Sequence, residues 1–76
     1  MRVFNVSVLH DVEEGVYVAT SDDLVGLVVE APTIDEVMKK ISEVLPDLVE
    51  GNRFSIDAGD VMHLTIQEAL PELHAA

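Results

Sequence analysis

Carboxylates are the most numerous side chains in this sequence that could do chemistry. Asp22 and Asp23 are adjacent between two apolar runs, and Asp57 and Asp60 flank Ala-Gly in a second short segment. If these four carboxylates converged, they could hold two metal ions for hydrolysis of a phosphodiester. Alternatively, each pair lies in a turn and accepts backbone N–H groups. Adjacent loop residues rarely point at one ion, and neither segment has a calcium-loop pattern, so we favour turns.

The histidines give no catalytic or zinc-binding pattern. His10, His63 and His74 are far apart and lack H-x-H or H-E-x-x-H spacing. His10 precedes Asp11, but neighbours on a strand point to opposite faces and cannot form a hydrogen-bonded pair. No serine lies in a G-x-S-x-G motif, and the glycines occur singly, which disfavours a phosphate loop. We therefore predict no catalytic residue, no metal, no cofactor and no enzymatic activity.

The charge balance argues against nucleic acid as a direct partner. Lys and Arg number 4 against 15 Asp and Glu, for a net charge of −11 over 76 residues. Such a chain repels a phosphate backbone and would attract a basic partner. The absence of cysteine fits a cytoplasmic protein. The longest apolar run, from Leu24 to Val29, is far shorter than the roughly 20 residues of a membrane span, so no membrane association is expected.

Periodicity predicts four strands in a single domain over residues 1–76. The N-terminal segment alternates, with Phe4, Val6 and Val8 on one face, and "DVEEG" predicts a hairpin turn into a second strand, "VYVAT". A third short run, "LVVEA", is closed by Pro32. The fourth strand, "VMHLTIQEAL", places Met62, Leu64 and Ile66 on one face and His63, Thr65 and Gln67 on the other.

One helix is predicted between the third and fourth strands. Thr33 with Glu36 forms a capping-box pattern, and apolar residues recur at helical spacing from Ile34 to Val49. Pro46 predicts a kink near Ser42–Leu45 or a restart of the helix, and Gly51 with Asn52 suits the helix exit. The expected fold is α+β, in the order β-β-β-α-β, with an antiparallel-rich sheet covered on one face by one helix.

The face of the sheet away from the helix is expected to be partly apolar. The sequence places on it a mixture of apolar and polar side chains. These are Val3, Leu9, Tyr17, Ala19 and His63. A small domain with such a face and open strand edges commonly pairs with a second copy, so we predict a homodimer.

An ordered series of motifs resembles the HicB-like domains. The series starts with the turn Glu13-Glu14-Gly15 and the aromatic Tyr17, and continues with a D-L-x-G loop at Asp23–Gly26. It ends with the T-x-x-E helix start at Thr33–Glu36. Val25 stands where the family usually has proline. The correspondence runs from about residue 2 to Asn52, and the last strand matches in kind.

The resemblance implies a partial ribonuclease-H-like fold and a protein-binding function. HicB-like proteins with known activity are antitoxins that bind a small basic toxin that cleaves RNA, and most also carry a C-terminal DNA-binding segment. That segment has no counterpart after Asn52, so a stand-alone member of the family is the other possibility. We predict partner contacts at exposed acids of the turns and the helix start. These are Asp22, Asp23, Glu30 and Asp35.

Two other functions stay open at this point. One is a metal-dependent nuclease or hydrolase that uses Asp22, Asp23, Asp57 and Asp60. Residues 2–10 contain no acid, whereas two-metal nucleases of the ribonuclease-H kind normally place one in the first strand. The other is a small-molecule groove between helix and sheet, for which the sequence shows no polar constellation.

Overall fold

The computed structural model describes residues 1–52 and 54–70, which form one four-stranded sheet and one helix. The elements are β1 (Val3–Asp11), β2 (Val16–Thr20), β3 (Val28–Ala31), α1 (Ile34–Asn52) and β4 (Val61–Ala69). The strand order is β3-β2-β1-β4. The predicted α+β class and element order are confirmed, while the ribonuclease-H-like assignment stays a prediction.

The sheet is mixed because the helix carries the chain from one edge to the other. β1 pairs antiparallel with β2, and β2 with β3. β4 lies on the other side of β1 and runs parallel to it, from Val3 opposite Val61 to Asp11 opposite Ala69. A parallel pair needs such a long crossover. β1 is therefore a central strand, with neighbours on both sides.

The core lies between the helix and the even-numbered residues of β1. Phe4, Val6 and Val8 are 3%, 1% and 0% exposed, and Val37 and Ile41 of α1 are buried against the sheet. Burial of each such side chain contributes about 1.5–3 kcal/mol. The period-two pattern of β1 is thus confirmed as one buried and one open face.

The register of β2 corrects part of the predicted open face. Tyr17 pairs with His10, and Ala19 pairs with Val8, whose side chain is buried. Cross-strand partners share a face, so Tyr17 and Ala19 lie on the helix side, and Ala19 is fully buried. Their predicted place on the open face is wrong. Almost every residue of "VYVAT" is apolar, so periodicity alone could not decide between the two faces.

The helix begins as its capping pattern predicts. Oγ1 of Thr33 accepts the N–H of Glu36 at 3.1 Å, and the C=O of Thr33 accepts the N–H of Val37. The helix then continues through Pro46, so the predicted restart at Pro46 is wrong, while the predicted kink near Ser42–Leu45 stays a prediction. Gly51 and Asn52, predicted at the helix exit, are the last two described residues of the helix. Pro46 is exposed, which leaves room for its ring on the solvent side.

The helix covers the sheet unevenly. α1 packs over β3 and β2, at one side of the sheet, and its C-terminal end holds the loop between these strands. Nδ2 of Asn52 donates to the C=O of Val25 at 2.9 Å. Within the described residues α1 is the one helix, and it is not long and apolar enough to cross a membrane.

Replacing Pro46 with alanine tests the cost of a proline inside α1. Proline has no N–H for the C=O of Ser42, and its exposed ring has little packing to lose. We expect Pro46→Ala to raise the free energy of unfolding by about 1–3 kcal/mol, since the gain in helix exceeds the loss of chain stiffness. Urea titration measures the free energy of unfolding of each variant. Glu43→Ala, at another exposed helix position, is the control, and an equal effect of both would contradict this account.

Candidate functional site

The loop that contains Asp22 and Asp23 completes the pairing of β1. β2 ends at Thr20, opposite Ser7, so Asn5 has no strand partner on that side. Oδ2 of Asp23 accepts the N–H of Asn5 at 2.7 Å, and the hydroxyl of Ser21 donates to the C=O of Asn5. These two side chains take the place of the missing strand. The interpretation of Asp23 as a structural acceptor is supported, whereas the role of Ser21 was not predicted.

Ser21 also folds the loop itself. Its Oγ accepts the N–H groups of Asp23 at 3.1 Å and Leu24 at 3.0 Å. Leu24, held in this way, is 1% exposed and belongs to the core. The side chain of Asp22 is exposed and makes no hydrogen bond within residues 1–52 and 54–70. The adjacent acids therefore differ: one is engaged with the backbone, and the other faces solvent.

The second acidic segment is a turn closed by Asp60. Its Oδ2 accepts the N–H of Asp57 and its Oδ1 accepts the N–H of Arg2, both at 2.8 Å. The N–H of Asp60 donates to the C=O of Asp57, and Gly59 has a φ of 91°. The N–H groups of Asp57 and Arg2 stabilise the carboxylate and hold the pKa of Asp60 below its usual value. Asp60 thus fastens the start of β1 to the turn before β4.

The four carboxylates of the nuclease alternative are not brought together. Asp23 and Asp60 bind backbone N–H groups of Asn5 and Arg2, near the start of β1. Asp23 approaches β1 from the side of β2, and Asp60 from the side of β4. Within the part of the chain that the structure describes, no three Asp, Glu or His side chains are placed to hold a metal ion.

One constellation of titratable side chains was not predicted. The ring of His10 stacks on Tyr17 with centroids 4.1 Å apart and planes 7° apart, and its Nδ1 lies 2.7 Å from Oε1 of Glu68. The register makes all three direct neighbours, from β1, β2 and β4. The hairpin at "DVEEG" fixes the pairing of His10 with Tyr17, so the sequence held a signal for the stack. The partnership with Glu68 needs the register of β4, which no local pattern provides.

A carboxylate that orients an imidazole occurs in general bases, but such a base needs a group to act on. The described residues provide no hydrogen-bond partner for Nε2 of His10. The cluster continues the helix-side face of the sheet one row beyond Val8, where it covers the end of the core. His63 lies exposed on the open face, and His74 falls outside the described residues.

The predicted partner-binding acids lie around β3. Asp22 precedes β3, Glu30 belongs to it and Asp35 follows it in the first turn of α1, and all three are exposed. Val25, in the loop before β3, and Val28, in β3, are 54% and 70% exposed. We call these five residues the β3 flank. Asp23, the fourth predicted contact, is exposed, but one carboxylate oxygen is committed to Asn5.

A small apolar cavity lies between α1 and the starts of β1 and β4. Its volume is about 140 Å³, and it is lined by Phe4, Leu24, Leu45, Ile56, Asp60, Val61 and Met62. Ligand pockets usually measure about 300–1,000 Å³ and present converging polar groups. The charged lining residue, Asp60, already accepts two backbone N–H groups. The cavity gives no support to a small-molecule site between helix and sheet.

Asp60 makes stability depend on pH in a predictable direction. Its folded pKa lies below its unfolded value, so its contribution is complete above the unfolded pKa and is lost as pH falls through the folded pKa. Asp60→Asn should lower the unfolding midpoint near pH 7, because the amide leaves one backbone N–H without an acceptor. The deficit should shrink as the medium is acidified towards pH ~3.

Asp57→Asn is the matched control, since it removes the same charge from the same turn. The hydrogen bonds of Asp57 in the described structure come from its backbone. Thermal unfolding of the three proteins across pH gives the comparison. An Asp57→Asn deficit as large as that of Asp60→Asn would contradict the assigned role of Asp60.

Comparison with known proteins gives a family and one similar solved structure. No curated protein matches the sequence. The chain is similar to a solved structure, the hypothetical protein TTHA1013 of the extremely thermophilic bacterium Thermus thermophilus, with 34% identity and a TM-score of 0.69 over 96% of this chain and 100% of that one. Neither match names a HicB-like protein. The family model of a domain of unknown function, DUF1902, matches residues 3–74, and the chain therefore belongs to the DUF1902 family.

Proposed function

We propose that this chain is a non-enzymatic, acidic module that binds a basic protein through the β3 flank. The observations that carry the proposal are the net charge of −11 and the exposure of three acids and two apolar side chains in and next to β3. Val28 and Val25 would supply apolar surface that the contact removes from water. Asp22, Glu30 and Asp35 would supply the charged rim, which speeds and orients the encounter.

Two of the chain's few cations are turned towards its own structure. The guanidinium of Arg2 lies 4.5 Å from the centre of the Phe4 ring and donates to the C=O of Ser55. Nζ of Lys40 donates to the C=O of Glu30 at 2.7 Å. Both side chains keep their charge, but 4 cations compensate 15 acids only weakly, and the remaining negative field favours a partner of opposite charge.

The resemblance to HicB-like domains suggests which basic protein is bound. In this proposal the partner is a small basic toxin that cleaves RNA, and the chain neutralises it in the cytoplasm as an antitoxin. The alternative of a stand-alone domain with another basic partner uses the same surface. Both versions make the chain a binding protein, and they differ in the consequence of binding for RNA.

The non-enzymatic part of the proposal rests on how the acids are used. Asp23 and Asp60 are two of the four candidate metal ligands, and both are engaged with backbone N–H groups. Both contribute to the pairing of β1, so a ligand role would compete with the fold itself.

Binding is tested by co-expression with each small basic protein encoded beside this chain, followed by gel filtration and Kd measurement at several salt concentrations. The triple variant Asp22→Asn, Glu30→Gln, Asp35→Asn should weaken binding about tenfold at low salt, with a smaller effect at high salt. The control Glu43→Gln, Asp47→Asn, Glu50→Gln removes the same charge from the helix. Equal effects of the two variants, or no complex with any neighbour, would refute the proposed surface.

Nuclease activity is tested directly with the unmodified chain. Single-stranded RNA incubated with the protein and Mn²⁺ should remain intact, because the carboxylates do not converge on a metal site in the described part of the chain. Gel electrophoresis after overnight incubation gives the measurement. Cleavage that persists after repurification and disappears in a folded Asp22→Asn variant would establish the nuclease alternative instead.

A further inference from the structure

We propose that two copies of this chain pair through the outer edges of their β4 strands, antiparallel, so that two four-stranded sheets become one. β4 is an edge strand of nine residues, with β1 on its inner side. An exposed strand edge is a row of unpaired N–H and C=O groups that another strand can complete. The proposal does not rest on the proposed function, because the β3 flank lies at the opposite edge of the sheet.

The outward groups of β4 follow from one hydrogen bond and the alternation of a strand. The N–H of Val61 donates to the C=O of Arg2, so the odd-numbered residues of β4 direct their backbone groups towards β1. The even-numbered residues direct theirs outward. These are Met62, Leu64, Ile66 and Glu68. They provide the row of donors and acceptors that a second strand would meet.

Among the residues that the structure describes, the edge at β3 is protected and the edge at β4 is not. β3 has four residues and is followed by Pro32, and Lys40 occupies the outward C=O of Glu30 at 2.7 Å. Short length, proline and lysine are the usual means of blocking a sheet edge. Residues 61–69 contain no proline, lysine or arginine. This difference between the edges selects β4 as the pairing strand.

Apolar side chains beside the β4 edge lack cover within the described structure. Because α1 packs over β3 and β2, the helix-side residue Ile66 is 54% exposed, and Leu70, just beyond the strand, is 81% exposed. Leu64 is half-buried next to Ile66. A second copy would remove these side chains from water while it completes the hydrogen bonds.

The sparse charge of β4 allows a strongly acidic chain to approach its own copy. Of the 15 acids, β4 carries one, Glu68. Pairing two-fold about Thr65 puts Glu68 opposite Met62 of the second copy and Leu64 opposite Ile66. It keeps the two Glu68 side chains apart, and like charges directly opposite one another destabilise a sheet. The symmetric partner with these properties is a second copy of the same strand.

Single-cysteine variants test the edge and the register, because the chain has no cysteine. In the proposed register Thr65 lies opposite Thr65 of the second copy, at a non-hydrogen-bonded position of the antiparallel pair. The two Cα atoms are then about 4.5 Å apart, which is within the range for a disulfide. Thr65→Cys should become mostly cross-linked under mild oxidation, as seen on a non-reducing gel. Val28→Cys on the β3 edge and Gln67→Cys, two residues out of register, are the controls. Cross-linking of either control as complete as that of Thr65→Cys would overturn the proposal.

A second measurement uses solution mass and does not depend on a disulfide. Light scattering of the unmodified chain at micromolar concentration should give the mass of two chains. Ile66→Lys, which places a charge at the apolar contact, should weaken the dimer about tenfold or more, whereas Val28→Lys should not. Circular dichroism confirms that both variants fold. A monomeric unmodified chain would overturn the proposal, and so would variants that dimerise equally well. Either result would also exclude a dimer in which β4 pairs with another strand of the second copy.

Discussion

The structure depends on satisfying the backbone of β1 on both of its sides. A central strand has a neighbour on each side, so its N–H and C=O groups are paired within the protein wherever the sheet covers them. β4 accompanies β1 along its whole length, but β2 does so only from Ser7 onward. The remaining requirement at Asn5 is met by Ser21 and Asp23, and the N–H of Arg2 is met by Asp60. Side chains that look suited to chemistry thus serve the sheet.

This use of the acids also explains how so negative a chain forms a sheet. A carboxylate that accepts backbone N–H groups is stabilised in its charged form and adds order where a strand ends. Most of the other acids among the described residues are exposed, and water and salt reduce their repulsion. They are unfavourable where the helix ends, because Asp47 and Glu50 face its negative pole and the last turn has no basic residue. The surplus charge therefore suits encounter with a partner more than stability.

The local patterns of the sequence predicted the elements well, and the pairings between distant elements less well. The alternation of Phe4, Val6 and Val8 and the Thr33 cap depend on neighbouring residues, and the structure confirms both. Tyr17 was assigned to the wrong face because an apolar strand has no polar side to mark its register. Ser21 and the His10–Glu68 pair were missed because each involves residues far apart in sequence. For the same reason, the sequence predicted only in part which carboxylates accept backbone N–H groups and which face solvent.

The parallel pairing of β1 with β4 has a consequence for how the chain folds. The strands are 58 residues apart, since Val3 lies opposite Val61, and the ladder between them cannot form until helix and turn have brought the ends together. Contacts of such long sequence separation slow the search for the native state. During synthesis on the ribosome, β1, β2, β3 and α1 emerge first, and β1 keeps an open side until β4 follows. That interval is when an apolar β1 is most exposed to aggregation.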